Sequence, residues 1–508
     1  MNVFNRGIEG CQRKISPNPR CWPAKAALLR WNGHHKFTVG HSLEHVLILG
    51  ATGCGKTSAA IKGLSLGMLN AGYGVLFLTA KAEDADEYFA LAKKAGRGDS
   101  VVRFGPSHRL GCNLLEYELR EKGIFLDIEQ SMNAPGVFAD VGHIKAGNRD
   151  AGDGNANFWV EAAEMILRYS VNVVVMATGK VELNKVVEVA LSAPPTLERA
   201  ADPAWRRGSA CFEALALAER RHGRDDTVMM AKQFFLQKWP GYPADSRGSA
   251  QFTCDVITDL CQSQPLRRLF FSKSDFTPDI LVDGAVLIVD APALQRGVQG
   301  KVINGMMRLA VERMVQKRTD TMKRPVAIIW DEFQTGVTAA DTDFAAVARS
   351  PRCALVMATQ NVNAVEGKLD PKGARSLFGN CRTKLFFANG DVETNQFMAD
   401  VVGKWETEKE TKTRAESGEL SKSTHTEAEY AVAPREAMTL ESGGEDFNRR
   451  VTGIMVHTGY KLTKGQPWMR VSFKQSRPIW RWWNPWNLLE RAGAVRRRYP
   501  APDFRHLR

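Results

Sequence analysis

The 508-residue sequence has no run of about 18 consecutive apolar residues, the length a membrane-spanning helix needs. Its first residues also lack the charged-then-apolar layout of a secretory leader. Nine cysteines (Cys11, Cys21, Cys54, Cys112, Cys211, Cys254, Cys261, Cys353 and Cys381) are scattered with no C-x-x-C pair, which argues against a disulfide framework or a zinc site. Negative charge is scarce: 69 Lys and Arg stand against 56 Asp and Glu, a net charge of +13. These absences lead to the expectation of a soluble chain in a reducing, cytoplasmic compartment, with membrane contact, if any, peripheral and at the inner membrane. A hydrophobic content of 44% is that of an ordinary globular protein, and the length suggests roughly two or three domains.

The excess of positive charge is not spread evenly. From Arg449 to Arg508 there are 14 basic residues and 2 acidic ones, Glu490 and Asp503, while the rest of the chain has 55 against 54. The same tail contains PIWRWWNPWNLL, in which Trp480, Trp482, Trp483 and Trp486 surround Arg481. Three readings remain open. Basic and aromatic side chains can hold single-stranded nucleic acid by phosphate contact and base stacking. They can lie on an anionic membrane surface, where tryptophan favours the interface. Or the tryptophans pack against the body and the arginines are solvated.

The most informative stretch is HVLILGATGCGKTSAAIKGL, His45 to Leu64. It matches G-x-x-x-x-G-K-[ST], with an apolar strand-like run before it (Val46–Leu49) and a helix-like run after it (Ser58–Leu69). Glycines let the loop curl so that successive N–H groups face phosphate oxygens, and the following helix aims its positive end at the same point. The nucleotide-binding residues are therefore Gly50, Ala51, Thr52, Gly53, Cys54, Gly55, Lys56, Thr57 and Ser58. Lys56 reaches the β- and γ-phosphates of ATP, and the Thr57 hydroxyl ligates Mg²⁺.

Hydrolysis needs a second element, and RPVAIIWDEFQTG supplies it. Val326–Trp330 read as a buried strand ending in Asp331 and Glu332. Asp331 takes the Mg²⁺-binding role, and Glu332 polarises the attacking water. An Asp-Glu pair alone is common on any surface; it becomes specific after a phosphate loop. A third run, ALVMATQNVNAV, reads as one more buried strand, over 354–358, and Gln360 just past it is placed to sense the γ-phosphate.

Between 41 and 126 short apolar runs alternate with helical patterns, and the alternation returns from 267 to 460. The expected fold is α/β, a doubly wound, mainly parallel sheet of the RecA-like P-loop NTPase type. Residues 127–266 show helical periodicity and read as an inserted, mostly helical domain. Residues 1–40, with Pro17, Pro19 and Pro23, read as irregular; 404–430 as a charged, mobile stretch; and 461–508 as the basic Trp/Arg tail.

Taken in order, GATGCGKT, FWVEAAEMIL, FTPDILVDGAVLIVDAP, IIWDEFQ, VARSPRCALVMATQN and GNCRTKLFFANGDVETNQFMADVVGK resemble the soluble motor of type IV coupling proteins. These are TraG/TraD-type conjugative ATPases of the FtsK/HerA superfamily, and the resemblance spans about residues 41–460. The sequence departs from the family in lacking an apolar anchor within Met1–Gly40 and in carrying the Trp/Arg tail. The resemblance implies a DNA-translocating ATPase working as a homo-hexamer, with relaxase and secretion-channel proteins as partners. It also implies an arginine supplied in trans to each ATP. Arg349, eleven residues before Gln360, looks like the family's arginine, and Arg352 is its local rival. Two other readings of the motor are a DNA pump or helicase in mobile-element or phage-defence processing, and an ATP-gated cargo receptor that does not pump.

Overall fold

The computed structural model describes residues 22–32, 34–119, 136–144, 154–319, 324–414, 420–463, 465–475, 503–504 and 506. The tryptophan cluster of the tail lies outside the described residues. The chain divides into two compact units. The first comprises Met1–Val75, Leu91–Arg97 and Thr319–Ala501, and the second Leu76–Ala90, Gly98–Arg318 and Pro502–Arg508.

Four strands of the first unit, Val46–Leu49, Val326–Trp330, Cys353–Thr359 and Thr383–Phe386, are buried throughout their length. Strand β1 is Ala27–Trp31, β2 is His35–Thr38, and β3 is Val46–Leu49. Gly74–Leu78 forms β4, Val101–Phe104 β5 and Val286–Val289 β6. Val326–Trp330 forms β7, Cys353–Thr359 β8 and Thr383–Phe386 β9. Lys404–Arg414 and Leu420–Tyr430 are β10 and β11, and Arg450–His457 and Trp468–Lys474 are β12 and β13. In the first unit the hydrogen-bonded order is β13-β12-β9-β3-β8-β7. Strand β3 runs parallel to both β8 and β9, and β7 runs parallel to β8. Every residue of β3, β7, β8 and β9 is buried, as expected for strands covered on both faces. Strand β12 is antiparallel to β9 and to β13, so the sheet is mixed at this end.

The second unit carries β4, β6 and β5 in that order, with β5 parallel to β6. Between β5 and β6 in the chain, Gly154–Thr178, Leu183–Leu191, Ala210–His222 and Ala244–Gln262 are all helical. In this helical insertion Met176, Ala177, Ala218 and Val228 form a buried cluster, and Tyr169 stacks on Phe234 with ring centroids 4.1 Å apart. The α/β class with an inserted helical domain, expected from the alternation of patterns, is the architecture observed. Among the described residues no helix is long and apolar enough to cross a membrane.

Three local expectations need correction. Residues 1–40 are not irregular throughout, because β1 and β2 pair as an antiparallel hairpin. Trp31 and Phe37 pack edge to face within it, a cross-strand contact that proline positions upstream do not reveal. The stretch 404–430 is also a hairpin, with β10 and β11 in continuous antiparallel register from Lys404–Tyr430 to Arg414–Leu420. Backbone pairing needs no apolar content, and the threonines spaced through both strands favour extended backbone. Finally, the sheet does not stop at 460. Strand β13 belongs to it, with Met469 and Val471 buried on one side in an alternation broken up in sequence by Arg470 between them and Lys474 after them.

Candidate nucleotide site

Three parallel strands of the first unit, β3, β7 and β8, each hand one candidate residue to the same edge of the sheet. Leu49 pairs with Thr359, and Trp330 pairs with Met357. Gly50, Gln360 and Asp331 are the residues immediately after β3, β8 and β7, so all three emerge at the carboxyl ends. Open α/β sheets bind ligands in this crevice. Strand β8 separates the phosphate-loop strand from the carboxylate strand, which puts Gln360 between the two.

The loop's shape explains its glycines. Gly55 has φ +90°, and a Cβ there would meet Val451 Cγ2 at 2.6 Å. Gly50 lies so close to Cys54 Sγ and Phe387 that a Cβ would approach them to 2.6 and 2.8 Å. The chain then enters a π-helical turn, Lys56–Ile61, before the α-helix Lys62–Asn70. Lys56 is buried, and its Nζ donates to the carbonyl of Gly50 and, at 3.1 Å, to that of Ala51. An ammonium resting on its own loop's carbonyls is positioned to turn to the phosphates that such a loop encloses. Burial raises the Cys54 thiol above its usual value, partly offset by Lys56, so Cys54 is a packing residue in its neutral form.

The Thr57 hydroxyl donates to Asp331 Oδ2 at 2.6 Å. A small divalent cation asks for oxygen ligands of this kind in close proximity, so this donor set fits Mg²⁺. Next to it, Glu332 is buried and sits at φ +50°, ψ +46°, left-handed backbone that costs a non-glycine residue roughly 1–2 kcal/mol. Strain of this sort persists where surrounding bonds impose it. Here the Glu332 N–H donates to Asp331 Oδ1 at 2.9 Å. Its carboxylate Oε2 accepts from Gln334 Nε2 at 2.7 Å and from Gln360 Nε2 at 3.2 Å. Gln360 is fixed in turn by Asn389, whose Nδ2 donates to its carbonyl at 2.8 Å.

Lys56, Thr57, Asp331, Glu332 and Gln360 therefore come together, whereas Arg349 does not join them. It precedes β8 and so lies at the opposite, amino edge of the sheet. The seven residues of β8 span about 23 Å at 3.3 Å per residue. There its guanidinium pairs with the buried Glu44 at 3.0 Å. Arg352, the rival, is buried at φ +63° and donates to the Trp22 carbonyl at 2.6 Å. One residue of the site was invisible in the motifs. Gln475, the first residue after β13, donates from Nε2 to Ser58 Oγ at 2.8 Å and accepts from Gly444 N at 2.9 Å. It lies 417 positions from Ser58, and only the pairing of β12 with β13 brings it there.

Residues 325–442 match the family model described as the TraM recognition site of TraD and TraG. This segment includes Asp331, Glu332, Arg349 and Gln360. No curated protein matches the chain in sequence. In fold, the chain aligns with the bacterial conjugative coupling protein TrwBdeltaN70 in an unbound form, at TM-score 0.60 and 15% identity, over 91% of this chain and 92% of that one. It aligns with the plasmid coupling protein TrwB in complex with ADP and Mg²⁺ at TM-score 0.60 and 14% identity, covering 90% and 91% of the two chains. With TrwB bound to the non-hydrolysable ATP analogue ADPNP the values are 0.58 and 15%, over 91% and 93%. The chain has the P-loop NTPase fold. Within that class it resembles the type IV coupling proteins of TraG/TraD type, in its family segment and in its overall architecture.

Proposed function

We propose that this protein is an ATP-driven DNA-translocating motor that delivers DNA or nucleoprotein to a conjugative, type IV secretion channel. The observation that carries the reading is the convergence of Lys56, Thr57, Asp331, Glu332 and Gln360 at one edge of the sheet. In this reading Lys56 and the loop amides bind the triphosphate of ATP, and Thr57 and Asp331 hold Mg²⁺, which neutralises phosphate charge. Glu332 orients and deprotonates the attacking water. Gln360, already bonded to Glu332, carries the state of the γ-phosphate to β8. The likeness of residues 325–442 to the TraD and TraG segment supports the conjugative setting, with relaxase and channel proteins as partners.

The working form in this reading is a homo-hexamer, with Arg349 reaching the ATP of a neighbour. Its place at the far edge from its own phosphate loop supports a role in trans. The test is the ATPase rate of the full chain with no DNA, with single-stranded DNA and with duplex DNA, alongside its oligomeric state. DNA-stimulated hydrolysis by a ring, together with displacement of a DNA-bound obstacle, is the expected result. Hydrolysis indifferent to both DNA forms, in a protein that binds cargo protein, would replace the motor with an ATP-gated receptor.

A further inference from the structure

Glu44 is a buried carboxylate that the nucleotide site does not use. Its side chain is 3% exposed, and it lies just before β3, whose neighbours are β8 and β9. Arg349, before β8, places Nη2 3.0 Å from Glu44 Oε1. Arg382, immediately before β9, places Nη1 3.2 Å from the same oxygen. Two guanidiniums, one from the segment before each strand that flanks β3, thus share one carboxylate oxygen. The other oxygen, Oε2, faces His457 Nε2 at 3.4 Å. Burial, reinforced by Arg382 and Lys384, pushes the His457 pKa down to about 4, so this imidazole is neutral near pH 7. The cluster then holds two positive charges against one negative.

We infer that Arg349 and Arg382, joined through Glu44, form a two-arginine receptor for the ATP triphosphate of a second copy of this chain. The inference rests on the ring reading above and extends it to a second arginine and its anchor. Both guanidiniums remain open to an incoming group: their side chains are 59% and 46% exposed while Glu44 is closed off. A guanidinium has five N–H donors in a planar fork suited to phosphate oxygens, so one bond to Glu44 leaves capacity for an anion. The chain's own nucleotide cannot be that anion, because the phosphate loop lies at the other end of β3. Charge complementarity points to a neighbour's nucleotide. Of the five side chains Lys56, Thr57, Asp331, Glu332 and Gln360, one is a cation and two are carboxylates. A triphosphate bound there, even with Mg²⁺, carries negative charge still to be met. Glu44 is a positioning residue in this arrangement: it holds the two forks side by side.

The test uses full-length protein and four variants, Arg349→Ala, Arg382→Ala, Arg382→Lys and Glu44→Gln, with a fluorescent ATP analogue to read binding. Arg382→Ala is expected to bind nucleotide normally and to lose hydrolysis by about tenfold or more, as removal of a trans cation does. Mixed with Lys56→Ala protein, which is itself inactive, it should regain part of its rate, because some boundaries then pair an intact loop with an intact Arg382. That regain also demonstrates folding. Arg382→Lys keeps the charge but not the fork, and should fold normally and remain slow. Glu44→Gln should lower kcat with little change in KM, and should regain rate when mixed with Lys56→Ala protein, a rescue that loss of structure would not allow. If Arg349→Ala protein is rescued by the mixture while Arg382→Ala hydrolyses ATP at the normal rate, the ring stands and the two-arginine receptor falls. If mixed rings form and Arg349→Ala is not rescued, the ring reading itself fails. Normal DNA-free hydrolysis by Arg382→Ala with loss of salt-sensitive DNA binding would assign the patch to DNA phosphates and overturn the inference.

Discussion

The Thr57 hydroxyl and the Asp331 carboxylate, 274 positions apart in sequence, share a hydrogen bond of 2.6 Å. The pair joins the first turn after the phosphate loop to the end of β7. Asp331→Asn keeps the shape of the acceptor but removes the charge that a divalent cation needs. The variant is expected to retain Mg²⁺-independent nucleotide binding and to lose Mg²⁺-dependent hydrolysis by on the order of 10²-fold or more. A Mg²⁺ titration of ATPase rate checks this; an unchanged Mg²⁺ requirement would remove Asp331 from the metal site.

Glu332 is held by Gln334 and Gln360 in a strained backbone conformation, which points to selection for position. Glu332→Gln preserves size and removes the carboxylate that the proposed mechanism uses as its base. Expected is tight ATP binding with turnover reduced on the order of 10²-fold or more, the upper range for loss of one general base. Single-turnover measurements with radiolabelled ATP would separate binding from chemistry, and normal turnover would place the base elsewhere.

The basic tail begins where β13 ends at Lys474. A chain truncated after Pro478 keeps β13 and Gln475 and loses the tryptophan cluster. It is expected to keep basal ATPase and to lose the steeply salt-dependent part of binding to DNA or to anionic vesicles, because phosphate contacts release counterions. Measuring both ligands across a salt series distinguishes the two surfaces. Unchanged binding to both leaves packing as the role of the tail.

His45 provides a pH-dependent test of the core. The Leu355 N–H donates to its Nδ1 at 3.2 Å, so Nε2 bears the proton and donates to the Ala345 carbonyl at 3.0 Å. Burial is the main cause that lowers its pKa to about 4, with the Ala345 bond opposing and Arg349 adding to the shift. The unfolded chain, with a value near 6.5, binds this proton first as pH falls. The contribution to stability is thus full above about pH 6.5 and is lost progressively towards pH 4, by roughly 3 kcal/mol for a buried group. His45→Asn, which tolerates the local φ of +63°, should be less stable at pH 7 and should flatten this dependence in urea denaturation followed from pH 7 to pH 4.

The candidate nucleotide site was legible because the pattern that marks it is local. A phosphate loop needs closely spaced glycines, a lysine and a hydroxyl between a strand and a helix, and all of them fall within Gly50–Thr57. Asp331, Glu332 and Gln360 were legible for a related reason: buried parallel strands read as unbroken apolar runs, and the residue that ends such a run stands at the sheet's edge. The helical insertion was equally plain from its change of period. What the sequence could not determine was which edges and faces meet. Strand order places β8 between β3 and β7, and no local pattern encodes that order. The β10–β11 hairpin escaped notice because its stability lies in backbone pairing, which leaves no apolar signature. Gln475 against Ser58, and Glu44 between Arg349 and Arg382, depend on contacts between segments distant in sequence. Spacing along the chain specifies which groups share a turn or a strand; only the register of packed strands decides which charges face each other across it.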